Sequence, residues 1–366
     1  MEEMEINKFQ IVFFPYLFLT KFESIKLLGV TIWNSKEISN RIKNEDLKNK
    51  IITLIEQNRI FGKPIQDIGI VNFRGWDDFR PLTVNEERII NEIRIVLFLS
   101  GVAKCNTNSG ANAGHYMLTS DNFKIVYQNF KLDSPYTGYS SGRIVRLSDF
   151  GYEISKITYE KPPYILKNSF SYDENLLSTL ERLKRKRRKS YRLILRASDA
   201  LMNAYTNSED VSFESRILEL SRAFEILFKL PEKQQRKVFK DAIKKYCEPA
   251  GERMRRYLSE RPRNIKVPER GSRQVMWADR FYTLRNHIIH GESVAERGFW
   301  FYGQPHYQLG LWFFLVSIKR MINESLGTKN FYDFVKCEDG CFVYHMGSWR
   351  KATAEILQAL MKKGES

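Results

Sequence analysis

One short stretch of the sequence brings together residue types suited to cleaving a phosphodiester. The segment RFYTLRNHIIHGESV, residues 280–294, contains Arg285, Asn286 and His290 and continues with Gly291. Arginine presents a planar, permanently charged fork that matches a phosphate, and histidine, with an unperturbed pKa of about 6.5, transfers protons near neutral pH. This set suits attack of an RNA 2′-hydroxyl on its neighbouring phosphate, with His290 as general acid or base and Arg285 stabilising the developing charge.

The helix that carries these residues is expected to separate them from its apolar side. At about 100° per residue, the apolar residues form one core-facing stripe: Trp277, Phe281, Leu284 and Ile288. Asn286 and His290 are four residues apart and fall on the opposite side, with Arg285 flanking them. The polar residues therefore form a cluster on the side of the helix away from the core. In this cluster Asn286 can orient the imidazole of His290 or the substrate. Gly291 is a natural residue to end this helix.

The cluster holds one candidate for proton transfer, whereas the reaction moves two protons. One proton leaves the 2′-oxygen and one reaches the 5′-oxygen, so two copies of the cluster across a two-fold axis can divide the roles, and we expect a homodimer. No matching carboxylate set accompanies the cluster, and we expect no metal and no other cofactor. The competing interpretation is structural: Arg285 forms a salt bridge that caps a bundle, and His290 satisfies carbonyls at the helix end.

The composition favours a globular protein with a polyanionic partner. The 366 residues carry a formal net charge of +16, and Lys or Arg contacts to phosphates release condensed counterions. Four scattered cysteines fit a reducing cytoplasm, and the chain begins MEEMEI, acidic where a secretion signal is basic. The apolar runs IVFFPYLFL and LGLWFFLVSI are too short to span a bilayer. We therefore expect a cytoplasmic protein without a membrane segment.

The first 168 residues mix helical and strand patterns. Thr83 and Glu86 have the spacing of a capping box at the start of a helix. The expected elements are a buried strand in IVFFPYLFL, a helix over 36–57, a helix from 83 to 99, a Gly- and Asn-rich loop over 100–114 and short strands between 116 and 166. The pair Pro162-Pro163 indicates a boundary. A mixed α/β domain over 1–168 is the resulting prediction.

From Ser171 onward the pattern is helical. Apolar periodicity predicts helices over 173–205, 213–230, 231–246, 274–290 and 307–326. The stretch 247–272 is rich in Pro and Gly and is expected to be irregular. A hairpin at 338–340 and a helix over 348–362 are expected in a C-terminal extension, 327–366. A helical bundle over 169–326 is therefore predicted.

The phrase LRNHIIHG resembles the signature of the HEPN superfamily, in which an Arg and a polar residue are followed by a His. Here Arg285, Asn286 and His290 match that signature. The neighbouring phrase AFEIL, with Glu225, resembles the preceding helix of the Apea-like HEPN branch. The resemblance covers roughly 173–326 and leaves the first 168 residues unassigned. It implies an all-α HEPN helical bundle for that region. Together with the mixed patterns of the first 168 residues, this gives a fold class of α+β, with an N-terminal mixed α/β domain followed by the bundle.

The resemblance also implies a function, that of a dimeric, metal-independent endoribonuclease that leaves a 2′,3′-cyclic phosphate. Such domains commonly occur in toxins and bacterial antiviral systems with a sensing domain attached, so the N-terminal domain is expected to sense an unknown activating ligand or protein. The presence of both Arg285 and His290 favours catalysis. The alternative is a non-catalytic RNA-binding or adaptor protein that uses a basic bundle. Glu225 is expected either to hold Arg285 in place or to be a plain surface carboxylate.

Two basic stretches are candidates for holding RNA. The first, 252–273, directly precedes the motif helix, and a basic loop with an interleaved tyrosine suits single-stranded RNA. Its RNA-binding candidates are Arg255, Arg256, Arg261, Arg263, Lys266 and Arg273. The second, LERLKRKRRKSYR at 180–192, either follows an RNA backbone or is only the solvated face of a helix.

Three further features of the sequence resemble functional sites but have simpler explanations. Cys337, Cys341 and His345 suggest zinc, but no fourth ligand has a usual spacing, and a hairpin with two cysteines explains them better. The stretch SGANAGHYM lacks the Gly-Lys-Ser/Thr of a P-loop and is either a sensing loop or an ordinary connection. His287, beside the motif, is a secondary candidate for binding and is expected to have no role in function.

Overall fold

The computed structural model shows an α+β chain that divides into two compact units. It describes residues 9–73, 75, 79–108, 118–133, 136–141, 152–153, 158–161, 170–206, 208, 210–247, 273–301 and 304–328. The N-terminal unit contains the described residues of Met1–Val102, Leu118–Asp173 and Thr206–Glu209. The C-terminal unit contains those of Ala103–Met117, Glu174–Tyr205 and Asp210–Ser366. The main division lies after Asp173, slightly beyond the boundary at 168 that the sequence suggests.

A seven-stranded antiparallel sheet forms the main layer of the N-terminal unit, in the order β2-β3-β6-β1-β7-β8-β9. Its strands are β1 (Phe9–Phe18), β2 (Ser24–Leu27), β3 (Val30–Asn34), β6 (Ile68–Asn72), β7 (Val126–Phe130), β8 (Tyr136–Ser141) and β9 (Tyr152–Glu153). A small second sheet contains β4 (Asn58–Ile60), β5 (Lys63–Pro64) and β10 (Tyr159–Glu160).

The central strand β1 confirms the buried strand expected from IVFFPYLFL. Its residues from Ile11 onward are buried. The register of β1 against β6 shifts between Phe14 and Phe18, the interval that contains Pro15. Because proline has no amide hydrogen to donate to a ladder, an irregularity at this point lets the strand continue.

The helix expected over 36–57 is two helices, α1 (Ile38–Arg41) and α2 (Glu45–Glu56). The backbone turns extended at Ile42, with ψ at 120°, and the side chain of Asn44 then accepts a hydrogen bond from Leu47 N as the cap of α2. The apolar spacing still reports burial correctly, because Ile38, Ile42 and Ile51 all enter the core beneath the sheet. Periodicity identified the buried face and missed the break.

The helix α3 (Val84–Asn108) begins with the expected capping box but ends later than expected. Thr83 N donates to Glu86 Oε2 at 2.8 Å, and Glu86 N donates to Thr83 Oγ1 at 3.4 Å. The loop expected from residue 100 is helical as far as Asn108. Gly101 permits close packing there, since a Cβ at this position would lie 2.9 Å from Phe170 Cε2. Packing therefore overrides the low helix propensity of the stretch.

The C-terminal unit is mainly helical. Its helices are α4 (Glu174–Lys186), α5 (Arg188–Ala204), α6 (Phe213–Phe228), α7 (Gln235–Cys247), α8 (Arg273–Ile289) and α9 (His306–Leu326). The single helix expected over 173–205 is interrupted at Arg187, which has non-helical φ and ψ of −141° and 62°. A short antiparallel pair of strands, β11 (Trp300–Phe301) and β12 (Gln304–Pro305), separates α8 from α9. The described part of this unit is therefore not purely α-helical, contrary to the prediction of an all-α bundle.

An aromatic core fixes α8 against its neighbours. The ring of Trp277 on α8 lies 4.5 Å from that of Phe313 on α9 and 6.0 Å from that of Phe224 on α6. A Cβ at Gly310 of α9 would lie 2.3 Å from Leu220 Cδ2, so α6 and α9 are in close contact. The apolar residues of α9 belong to this core. No helix within the described ranges combines the length and apolar character needed to cross a bilayer.

Several stretches singled out in the sequence lie outside the described residues. They are SGANAGHYM at 109–117, the β-type run at 142–150, Pro162-Pro163, most of the basic stretch 252–273, and the hairpin and helix expected within 329–366. The corresponding expectations stay predictions.

Candidate active site

The motif helix α8 has the orientation expected from its apolar spacing. Trp277, Phe281 and Leu284 are buried, while Ile288, one turn further, is only half-buried because the helix is about to end. Asn286 is half-buried and His290 is exposed. The polar residues therefore lie away from the core, as the sequence predicted.

The end of α8 is closed by Gly291, also as predicted. Gly291 has a φ of +69°, in the left-handed region that favours glycine. Its amide donates to Ile288 O at 3.1 Å, and Glu292 N donates to His287 O at 2.9 Å. These two bonds are the Schellman pattern, which satisfies carbonyls left over at a helix end. His290 is consequently the cap residue, placed where the chain leaves the helix.

The neighbouring helix α6 supplies a carboxylate to this cluster. Ser212 caps its start by accepting from Ser215 N, and the buried side of α6 is apolar. Glu225 lies at the edge of that side, half-buried, and Ser221, one turn earlier, donates from Oγ to Glu225 Oε1 at 3.0 Å. The hydrogen bond from Ser221 therefore orients the Glu225 carboxylate from within α6, independently of its contact with α8.

Arg285 and Glu225 form the ion pair that the sequence suggested. Arg285 Nη2 lies 2.9 Å from Glu225 Oε1, and the two side chains are 19% and 27% exposed. Arg285 Nη1 also donates to Asn286 Oδ1 at 3.1 Å. The guanidinium is thus fixed from two sides, by an acid on α6 and by the amide next to it on α8.

Tyr282 adds a ring and a hydroxyl that the sequence reasoning missed. The Arg285 guanidinium carbon lies 5.2 Å from the centre of the Tyr282 ring, and the Tyr282 hydroxyl donates to Gln235 Oε1 on α7. Burial raises the pKa of Tyr282; nearby Arg285 lowers it and Glu225 raises it further. Tyr282 is therefore a neutral hydrogen-bond donor that links α8 to α7.

Asp279, two turns before Asn286, ties the same side of α8 to α7. Arg236 donates from Nε and Nη2 to the two carboxylate oxygens of Asp279 at 3.1 and 2.7 Å, and Lys240 Nζ lies 2.8 Å from Oδ1. The hydrogen bonds from Arg236 are the main reason that the pKa of Asp279 is lowered. The spacing of seven residues places Asp279 and Asn286 on the same side of α8, and this could be read from the sequence. The partners of Asp279 on α7 could not.

His290 differs from its neighbour His287 in its contacts. His287 Nδ1 contacts Glu292 Oε2 across the helix end, so this ring already has an acidic partner. In the part of the chain that is described, the imidazole of His290 makes no hydrogen bond, and the side chain is exposed to solvent. The ring of His290 is therefore accessible to a ligand or to a second chain.

The predicted RNA-binding residues are not placed by the structure. Arg255, Arg256, Arg261, Arg263 and Lys266 lie outside the described residues. Arg273 is the first residue of α8, but its side chain is outside the description. Over the ranges that are described, no group of three or more His, Cys, Asp or Glu side chains is arranged to hold a metal ion.

Comparison of the chain with family models, curated proteins and solved structures finds no match. The geometry around Arg285, Asn286 and His290 is therefore the basis for assigning a function.

Proposed function

We propose that this protein is a metal-independent endoribonuclease of the HEPN type, which cleaves RNA by attack of a 2′-hydroxyl on the adjacent phosphate. The observation that carries the proposal is a fixed guanidinium and an exposed imidazole five residues apart at the end of one helix. Arg285 is held by Glu225 and Asn286, and His290 lies at the helix end, on the same side as Asn286.

Arg285 is proposed to bind the reacting phosphate. Its contacts with Glu225 and Asn286 use one N–H of each terminal nitrogen, so donors remain on the planar fork. A guanidinium held in place before substrate arrives stabilises developing negative charge without first having to reorganise. The ion pair with Glu225 thus positions the cation while leaving it able to donate to a phosphate oxygen.

His290 is proposed to move protons. In the cleavage step the 2′-oxygen loses its proton and forms a bond to phosphorus, the bond from phosphorus to the 5′-oxygen breaks, and that oxygen gains a proton. The products are a 2′,3′-cyclic phosphate and a 5′-hydroxyl. An exposed imidazole with accessible ring nitrogens suits one of these two transfers. Asn286, one turn before His290, is proposed to orient the ring or the substrate.

A second copy of the chain is proposed to supply the other histidine. His290 is exposed, and the neighbouring Ile289 is 49% exposed although it is a large apolar residue. An apolar side chain beside a catalytic candidate suits a two-fold contact between two α8 helix ends. The homodimer would place two imidazoles and two guanidinium groups around one phosphate.

The remaining proposals concern the biological setting. The C-terminal unit is proposed to be a HEPN bundle, and the N-terminal unit to sense an activating ligand or protein. A cytoplasmic role in antiviral defence or as a toxin follows from the likeness of LRNHIIHG and AFEIL to that superfamily. The alternative is a non-catalytic RNA-binding or adaptor protein. An ion pair between Arg285 and Glu225 that only stabilised the bundle would have the same geometry, and in that case Arg285 would serve the alternative function.

The deciding experiment is cleavage of RNA in the presence of a chelator. Purified full-length protein is incubated with total RNA and excess EDTA, and the ends of any fragments are identified by mass spectrometry. We expect fragments that carry 2′,3′-cyclic phosphate and 5′-hydroxyl ends. The His290→Ala protein, prepared in parallel, controls for contaminating nuclease. Loss of cleavage in EDTA with recovery in magnesium would contradict the mechanism, and binding without cleavage would favour the adaptor.

A further inference from the structure

The junction of α4 and α5 has an unusual surface. Between residues 182 and 196, every exposed position is Arg or Lys. We call this set the basic corner, and its members are Arg182, Arg185, Lys186, Arg187, Arg188, Lys189, Arg192 and Arg196. The interruption at Arg187 divides the set between the end of one helix and the start of the next. Cations therefore cover both sides of the junction.

Helix stability does not account for this arrangement. Arg188, Arg192 and Arg196 follow one another at intervals of four, so they form a row about 12 Å long on one side of α5. Like charges at this interval destabilise a helix. The first turn of α5 also contains basic residues and no acid, and its cap makes no side-chain hydrogen bond. Cations at that end oppose the helix dipole.

Neutralisation by neighbouring acids does not account for it either. The stretch itself contains no acid, and the acids that flank it, Glu181 and Asp199, are half-buried rather than exposed. Among the described residues none of the eight cations forms an ion pair, and the one side-chain contact is Arg187 Nε donating to Ser325 O at 3.2 Å. The basic corner is therefore a concentrated positive surface that solvent reaches directly.

We propose that the basic corner binds the sugar-phosphate backbone of RNA without regard to sequence, and so holds the substrate of the endoribonuclease proposed above. Six of its eight residues are arginines, whose planar forks match phosphate oxygens. No position between 182 and 196 that is apolar or aromatic is exposed. A membrane-surface helix needs an apolar side, and a protein interface needs an apolar or aromatic centre. A polyanion matches this surface better than either.

The basic corner is connected to the candidate active site through one helix. The helix α5 packs against α6, and Asn203 Nδ2 near the end of α5 donates to Glu219 Oε2 of α6 at 3.3 Å. The same α6 carries Glu225, the partner of Arg285. An RNA strand held by α5 would therefore be bound to the unit that contains the proposed site.

The test uses binding rather than cleavage, so that it does not depend on catalysis. A fluorescently labelled single-stranded RNA of about 30 nucleotides is titrated with full-length His290→Ala protein at several salt concentrations. A second protein also carries Arg185→Gln, Arg188→Gln, Arg192→Gln and Arg196→Gln. A matched control carries Lys21→Gln, Lys26→Gln, Lys43→Gln and Lys63→Gln, four exposed cations of the N-terminal unit. Both sets remove the same net charge.

We expect the corner variant to bind RNA at least tenfold more weakly, while the control remains close to the parent. Each phosphate contact to a single strand contributes about 0.7 to the slope of log affinity against log salt, so four lost contacts should reduce the slope by about 3. Equal slopes for corner variant and control would overturn the inference. Circular dichroism and thermal unfolding confirm that each variant is folded.

The outcomes also separate this inference from the proposed function. Wild-type cleavage combined with unchanged RNA binding by the corner variant would reject the basic corner and leave the enzyme. Weakened binding by the corner variant without any wild-type cleavage would keep the basic corner and reject the enzyme. Binding to vesicles of anionic phospholipid that the corner variant loses, with RNA binding unaffected, would overturn the choice of RNA in favour of a membrane surface.

Discussion

Replacement of Glu225 tests whether Arg285 is positioned by its partner on α6. The pair is joined at 2.9 Å, with side chains 19% and 27% exposed. Hydrogen bonds to charged groups contribute about 1.5–3 kcal/mol, and exposed ion pairs about 0–1 kcal/mol. Because this pair is partly buried, we expect Glu225→Ala to lower the free energy of unfolding by about 1–2 kcal/mol.

The effect on activity should exceed the effect on stability. Removal of a fixed charge-stabilising donor typically lowers kcat by about 10²–10³-fold. Arg285 remains in Glu225→Ala but loses its orientation, so we expect kcat to fall by about ten- to a hundredfold, with a smaller change in KM. Glu225→Gln keeps an oxygen that can accept from Arg285 and should retain more activity than the alanine variant.

The assay combines thermal unfolding with cleavage of a defined RNA. A decrease of 1 kcal/mol corresponds to a shift in Tm of about 2–4 °C for a unit of this size. The control is Glu219→Ala, on the same helix, whose carboxylate is 32% exposed and lies 3.7 Å from Arg222. This control should lose stability but keep kcat. Equal activity in Glu225→Ala and Glu219→Ala would refute the positioning argument.

Three further predictions follow from the site. His290→Ala and Arg285→Ala should each lower cleavage by about 10²–10⁴-fold with an unchanged circular dichroism spectrum; wild-type rates in either would reject the assignment. If two imidazoles serve one phosphate, adding His290→Ala chains to wild type should lower activity per wild-type chain, and dilution should lower activity as the dimer dissociates; a fully active monomer by light scattering would exclude the shared site. Arg236 holds the pKa of Asp279 below its usual value of 3.8, so their interaction stabilises the fold above that value and is lost as pH falls through the lowered pKa. Asp279→Asn should therefore unfold more readily than wild type at neutral pH, and the difference should shrink in acid; a pH-independent difference in urea midpoint would contradict this.

Features set by periodicity within one helix could be predicted from the sequence. The buried side of α8, the exposure of His290 and the termination at Gly291 all follow from spacing and from glycine's access to positive φ. The contact from Glu225 to Arg285 could be suggested because both residues flank apolar stripes of helices that were expected to pack together. Local rules were sufficient for the features of α8, whereas the ion pair between α6 and α8 was only one of two alternatives for Glu225.

Features that depend on how two helices align could not be predicted. Nothing within α7 indicates that Gln235 meets Tyr282, or that Arg236 and Lys240 share Asp279, because the alignment of α7 on α8 is set by the aromatic core. The interruption at Arg187 has no Pro or Gly to mark it, and α3 continues through a stretch with the composition of a loop. In both cases tertiary packing outweighs local preference.

The contact of Gly310 with Leu220 has a consequence for how this protein can change under selection. A methyl group at 310 would lie 2.3 Å from Leu220 Cδ2, and Leu220, itself fully buried, immediately precedes Ser221 on α6. The added atom would therefore force Leu220 to shift, one residue before the serine that orients Glu225. If the proposed activity is harmful to the host cell, escape mutants selected for survival should include substitutions at Gly310. The mutant proteins would be folded and present at normal levels. They would nevertheless be inactive, although every polar residue of the site is retained.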